Sequence, residues 1–230
     1  MRRFYKEVTL APQAGGWQVM LDGRGVKTVG GAPQVVPSQA LGEALAAEWQ
    51  EQGERIDPKS LPLRDMADYA IDMVAPDPAG IARGLVAYAE TDTLCYRADP
   101  DEPLHARQQD VWEPLLTGFE AAQGITLTRV SGVLHRPQPP GSLAVLKARL
   151  RALDPFALAG VEAMTKLAAS LVIGLAALDA EDPLALWQAA SLEEEWQAEL
   201  WGRDWEAEER RARREADFLK ACAFARMARG

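Results

Sequence analysis

The sequence predicts an α+β fold: a small N-terminal β-rich domain with packed helices over residues 1–75, then a larger all-helical orthogonal bundle over 76–230. Three observations carry this. Period-two apolar alternation is confined to about the first 37 residues. A hairpin signal, Asp22-Gly23, lies inside that stretch; both central positions of a type I′ turn need positive φ, which these residue types tolerate. Beyond it, the dipeptide Asp-Pro recurs at Asp77-Pro78, Asp154-Pro155 and Asp182-Pro183. Each places a capping side chain ahead of a proline at the first helical position.

Taken in order, Phe4, Val8 and Leu10 suggest a first strand. Trp17, Val19 and Leu21 alternate with Gln18, Met20 and Asp22 in a second, Val26 to Thr28 returns from the turn, and Gln34 to Val36 adds a short fourth. Ser38 reads as an N-cap opening a helix through Trp49, with Gly53 beyond its end. Pro62 opens another, to about Val74. A few-stranded sheet has one face to bury, so one or both helices should cover it. The remaining helices are expected at Ala79–Glu90, Pro103–Gln123, Ser142–Leu153, Phe156–Leu178, Leu184–Trp201 and Trp205–Met227. Phe156–Leu178 carries only Glu162 and Lys166 as charges and should be the buried hub. In the last helix, Glu206/Arg210 and Glu209/Arg213 stand in the favourable i,i+4 order on what reads as a solvated face. Ile125–Val130 is a candidate short strand, and the segment from His135 to Gly141 is a Pro-rich connector.

Composition narrows the function. A chain of 230 residues with 48% hydrophobic and 26% charged residues is that of an ordinary soluble globular protein. Its net charge of −9 argues against a nucleic-acid partner, which needs clustered Lys and Arg. Cys95 and Cys222 have neither metal nor redox spacing, so a reducing compartment is expected. Met1-Arg2-Arg3 is followed by Phe-Tyr-Lys-Glu and not by an apolar signal core. The most apolar run, Leu167 to Leu178, is 12 residues long, too short to span a bilayer. A cytoplasmic protein without membrane contact is the expectation.

The chain's chemistry concentrates in Leu184 to Glu206, which holds four of the seven tryptophans and the densest run of carboxylates. At 100° per residue, Ala185, Ala189, Leu192, Trp196 and Leu200 form one apolar stripe, with Glu193 projecting near its middle. Trp187, Ala190, Glu194 and Trp201 form a second surface. A helix apolar round most of its circumference is central in a core or meets a partner, and a carboxylate within it needs a partner of its own. Glu193 therefore has three readings: a structural acid capped or paired inside the core, an acid at a partner interface, or a catalytic group. Trp17, Trp49 and Trp112 read as core; Trp187, Trp201 and Trp205 are either a packed corner or an aromatic anchor. In the segment Tyr88 to Arg97, Glu90, Thr91 and Asp92 place acids at the negative end of a helix. Arg97 or a group from elsewhere must compensate.

Catalytic constellations are weak. The two histidines, His105 and His135, lie in unrelated segments, and Glu193, Glu194 and Glu195 are adjacent and so diverge. No metal site is expected. The glycines at 23, 25, 30 and 31 surround a hairpin, with no Gly-Lys-Ser/Thr, so no nucleotide or other cofactor is expected. The surviving alternative is a soluble enzyme using Glu193 in an interdomain pocket.

Six motifs occur in order: RRFYKEV, GGWQVMLDGRGVKT, AAEWQEQGERIDPKSLPL, YAETDTLCYR, QQDVWEPLL and SLEEEWQAELWG. Together they resemble the assembly chaperones of the F-type ATP synthase that bind its alpha subunit, over essentially the whole chain. The stretch DMADYAID, Asp65 to Asp72, departs from the family pattern and receives no role. The resemblance implies a monomeric, non-enzymatic chaperone without nucleotide. It would hold unassembled alpha subunit until beta subunit displaces it, in the mitochondrial matrix of eukaryotes and the cytoplasm of bacteria. Because the family pattern opens at Phe4, a bacterial cytoplasmic member is expected. Partner-binding residues are then expected at Glu193, Glu194 and Trp201, with Glu195 and Trp187 next; Thr91, Asp92 and Tyr96 are a weaker second group.

Overall fold

The structure, a computed structural model, describes residues 1–132 and 134–230. The chain is α+β and packs as two compact units. The first comprises Met1–Pro78 together with Leu153–Gly160 and Ala223–Gly230; the second comprises Ala79–Ala152 and Val161–Cys222. The first segment of the first unit ends at Pro78, close to the boundary expected between residues 75 and 76, and two later segments join it. Two apolar segments far along the chain belong to the first unit, and Phe156 meets Phe224 there with ring centroids 6.2 Å apart.

In the first unit, strands β1 (Val8–Gln13), β2 (Gly16–Leu21) and β3 (Arg24–Gly25) run antiparallel in that order, and β4 (Val35–Val36) also pairs with β2. The predicted turn forms: Leu21 pairs with Arg24, leaving Asp22 and Gly23 at φ +48° and +76°. Asp22 then closes the corner, its carboxylate accepting from the backbone N–H groups of Lys6 and Glu7 at 3.0 and 2.8 Å. Phe4 lies outside the strand expected to contain it and is exposed, because pairing with β2 begins only at Val8. The expected strand Val26–Thr28 reduces to Arg24–Gly25 plus one bridge from Lys27 to Pro33.

Helix α1 (Gln39–Gln50) starts as expected, Ser38 Oγ accepting from Leu41 N at 3.1 Å. Leu41, Leu45 and Trp49 are buried. Gly42 lets the helix approach the sheet: a β-carbon there would come within 2.8 Å of the Leu10 side chain. Trp17, expected in the core, is only half buried. Helix α2 (Pro62–Tyr69) continues as a π-helical turn, Ala70–Val74. The segment given no role from sequence has a structural one. Asp68 Oδ1 accepts from Gln34 Nε2 at 2.6 Å, and Asp72 accepts from Thr28 Oγ1 and Gly30 N, both at 2.8 Å, so the two acids clasp the loop entering β4.

The second unit holds α3 (Pro78–Glu90, from its second residue), α4 (Pro103–Gln123) and α5 (Pro140–Arg151), the last starting two residues before its expected position. A two-residue parallel pair joins β5 (Tyr96–Arg97) to β6 (Val130–Ser131), where a strand over Ile125–Val130 was expected. The expected hub Phe156–Leu178 is two helices, α6 (Pro155–Ala168) and α7 (Leu171–Ala176). Ala169 between them takes φ +49°, and Ser170 caps α7 by accepting from Ile173 N at 3.0 Å. Burial of the hub is as expected, its two charges Glu162 and Lys166 pairing at 2.7 Å. Leu184–Trp201 also divides, into α8 (Pro183–Ala190) and α9 (Leu192–Trp201), with Ser191 at φ −90°, ψ 7° between them. Helix α10 (Trp205–Arg229) completes the chain. Among the described residues, no helix is long and apolar enough to cross a membrane.

Candidate functional site

Helix α9 ends against Gly202, whose φ of +94° turns the chain sharply, and α10 begins three residues on. The turn leaves the end of one helix and the start of the next with apolar side chains that nothing covers. Leu200, Trp201 and Trp205 are 60%, 86% and 71% exposed. Tryptophan side chains are large, and exposed ones are uncommon unless they meet a partner. Trp196, on the adjacent face, is half buried beneath the Arg107 guanidinium, 5.5 Å from its ring centroid.

Glu193, Glu194 and Glu195 occupy the first turn of α9, where the helix dipole favours negative charge. Glu194 pairs with Arg214 at 2.7 Å; Glu195 pairs with Arg211 at 2.8 Å and with Arg203. Glu199 takes both amino groups of Arg107, at 2.5 and 3.0 Å. The face of α10 expected to be solvated is so: Glu206, Glu209, Arg210 and Arg213 are exposed, the Glu209–Arg213 pair at a loose 3.8 Å, while Arg211 and Arg214 turn toward α9.

Glu193 differs from its neighbours. It is half buried, and no cation pairs with it among the described residues. Its Oε1 accepts from Gln108 Nε2 at 2.6 Å, and Gln108, fully buried, uses its own Oε1 to accept from Ala98 N at 2.8 Å. Burial pushes the Glu193 carboxyl above the usual glutamate range; the Gln108 bond opposes the shift. Glu193 and Glu194 line a cleft of about 160 Å³ with Thr93, Ala169 and Arg214. On the other side of Glu194, a groove of about 450 Å³ runs beside Trp201 and between α9 and α10. Glu194 lines both spaces, so the cleft of the cation-free Glu193 and the groove of the uncovered Trp201 lie along one helix, an arrangement that suits a polypeptide bringing both apolar surface and a cation.

Trp187 and Asp92 are corrections. Trp187 is 1% exposed and packs on Phe218 with centroids 5.5 Å apart, because the break at Ser191 ends the helix face that was to carry it outward. Asp92 is 0% exposed and accepts from Ser170 Oγ at 2.7 Å, Val172 N at 3.0 Å and Leu94 N at 3.1 Å. Its compensation comes from the start of α7 and not from Arg97, which pairs with Glu113 at 2.8 Å. Thr91 is exposed. Tyr96 is half buried, its hydroxyl 2.8 Å from His135 Nδ1. The structure therefore puts Glu194 with Glu193 in one cleft and with Trp201 in another, turns Glu195 to a different groove, and puts Trp187 and Asp92 in the core. Sequence reasoning missed Gln108, Arg203, Arg211 and Arg214; only the excess of arginine early in the last helix hinted at the arginines.

A family profile described as ATP12 chaperone protein matches residues 2–120. Atp12 from Paracoccus denitrificans superposes with a TM-score of 0.94 at 38% identity, covering 99% of this chain and 98% of that one. The chain belongs to the ATP12 chaperone family. A solved protein of Agrobacterium tumefaciens is similar to it at 37% identity and TM-score 0.93, over 100% of this chain and 86% of that chain. The mitochondrial protein atp12 of Schizosaccharomyces pombe is 25% identical over 217 residues, 87% of this chain and 74% of that protein. ATP12 proteins are chaperones and not enzymes, so the catalytic reading of Glu193 falls away. The profile covers the N-terminal segment of the first unit, α3 and most of α4, whereas the Paracoccus protein also matches the α8–α10 region that holds the exposed corner.

Proposed function

We propose that this ATP12-family protein is a chaperone of ATP synthase assembly that binds unassembled alpha subunit through the α9–α10 corner. It shields the client's beta-facing surface until beta subunit displaces it. The observation that carries the reading is the uncovered apolar surface of Leu200, Trp201 and Trp205 beside the acids of α9. An unassembled subunit exposes apolar surface that aggregates, and buried tryptophans supply most of the affinity at protein interfaces. Glu193, with no cation of its own, accepts a client Lys or Arg. Glu194 and Glu195, already paired to arginines, form a charge-balanced rim that a client exchanges at little net cost. That combination gives intermediate affinity, as displacement by a second subunit requires. The protein acts as a monomer, and in the cytoplasm, the location that its similarity to bacterial relatives favours.

The test is light scattering of aggregation-prone alpha subunit. A stoichiometric amount of the protein is expected to suppress aggregation, and added beta subunit to release it; no suppression overturns the proposal. Glu193→Lys is expected to fold and to fail in capture. If it purifies unfolded, Glu193 is structural.

A further inference from the structure

The first unit has a groove of its own. It measures about 630 Å³, in the range that holds two or three side chains. Met1, Phe4, Tyr5, Leu21, Val26 and Trp49 supply its apolar lining, with Phe4 63% exposed and Met1 72% exposed. Arg24, Lys27 and Arg64 supply its charge, and Asp22 is the one acid along it. That acid is already committed to the N–H groups of Lys6 and Glu7, which hold its carboxyl below the usual aspartate range. Arg24 and Lys27 are exposed and make no ion pair among the described residues. Arg64 lies over the Trp49 ring at 5.9 Å, and its partner Asp65 stands at the exposed surface. On a protein of net charge −9, this is a local positive field around uncovered aromatic surface.

We propose that this groove is a second client-binding site, for an extended polypeptide segment in which apolar side chains alternate with carboxylates. The charge complementarity selects that occupant: Arg24, Lys27 and Arg64 line the same groove as its apolar residues, so a segment carrying both apolar side chains and carboxylates matches it. Three cations on an otherwise acidic molecule are too few to follow a nucleic-acid backbone. The inference deepens the chaperone reading and rests on it, but the groove is separate from the α9–α10 corner in residues and in charge sign.

The experiment is fluorescence anisotropy of the full chain with a fluorescein-labelled Glu-Leu-Phe-Asp-Leu peptide, against Lys-Leu-Phe-Lys-Leu as the charge-reversed control. The acidic peptide is expected to bind and to weaken as salt rises. Arg24→Glu with Lys27→Glu is expected to weaken it about tenfold or more, at an unchanged melting temperature, whereas Trp201→Glu leaves it unchanged. If the double variant fails to fold, Lys27→Gln and the salt titration decide. Equal binding of both peptides, binding of neither, loss through Trp201→Glu, or displacement of the peptide by phosphatidylserine vesicles each overturns the proposal. Alpha-subunit capture, measured alongside by light scattering, separates this failure from failure of the chaperone reading: capture that persists when the acidic peptide does not bind leaves the corner intact as a site.

Discussion

A buried carboxylate holds the start of α7. Asp92 accepts three hydrogen bonds from groups at or near helix starts, yet its complete burial pushes its pKa up to about 6 from an ordinary 3.8. The native state therefore binds the Asp92 proton more tightly than the unfolded chain does. The stability this contributes is full below about pH 4 and is lost as pH rises through about 6. Melting temperatures measured from pH 4.5 to 7 are expected to fall more steeply in the natural protein than in Asp92→Asn; parallel curves would contradict the assignment. Glu193 shifts in the same direction, also from burial. Glu193→Gln keeps an oxygen for the Gln108 amide and removes the penalised charge. It should be slightly more stable than the natural protein at pH 7, by less than about 0.5 kcal/mol, with the difference vanishing in acid. Denaturant melts at the two pH values test this.

Elements differed in how much of them local chemistry announced. The Asp22-Gly23 turn, the Ser38 cap and the caps at Asp154 and Asp182 were legible because one side chain satisfies nearby backbone donors. Asp154 Oδ1 accepts from Phe156 N at 2.8 Å, and Asp182 Oδ1 from Ala185 N at 3.1 Å. The breaks at Ala169 and Ser191 were not legible. Neither carries Gly or Pro, and in each case packing imposes a backbone that propensity does not request. Ala169 has a left-handed φ of +49°, which costs a residue with a β-carbon roughly 1–2 kcal/mol. Ala169→Gly is therefore expected to stabilise the protein by about 1 kcal/mol, reduced by glycine's extra freedom in the unfolded chain. Ser170→Ala removes the cap on Ile173 and one donor to Asp92, and should cost about 1–2 kcal/mol. Thermal denaturation decides both. Strands of two residues, as at β5 and β6, are too short for any periodic signal.

At the scale of the whole molecule, the class of fold was legible and the division of the chain was not. Period-two and period-3.6 patterns separate strands from helices, but nothing in them says that Leu153–Gly160 and Ala223–Gly230 belong with the first 78 residues. The ordered motifs were legible as a family likeness across the chain. The site was half legible: the apolar and acidic character of Leu184 to Glu206 was evident, but a continuous helical wheel misplaced Trp187 once the helix broke at Ser191. What survives is the corner of Leu200, Trp201 and Trp205, on the helix whose first turn carries an acid without a cation among the described residues. The direct test is the affinity of purified alpha subunit for the protein and for Trp201→Ala combined with Leu200→Ser, measured by calorimetry. Both side chains are exposed, so the melting temperature should be unchanged while binding weakens by about thirtyfold or more, the loss of an interface anchor. Affinity unchanged in the double variant would contradict the account.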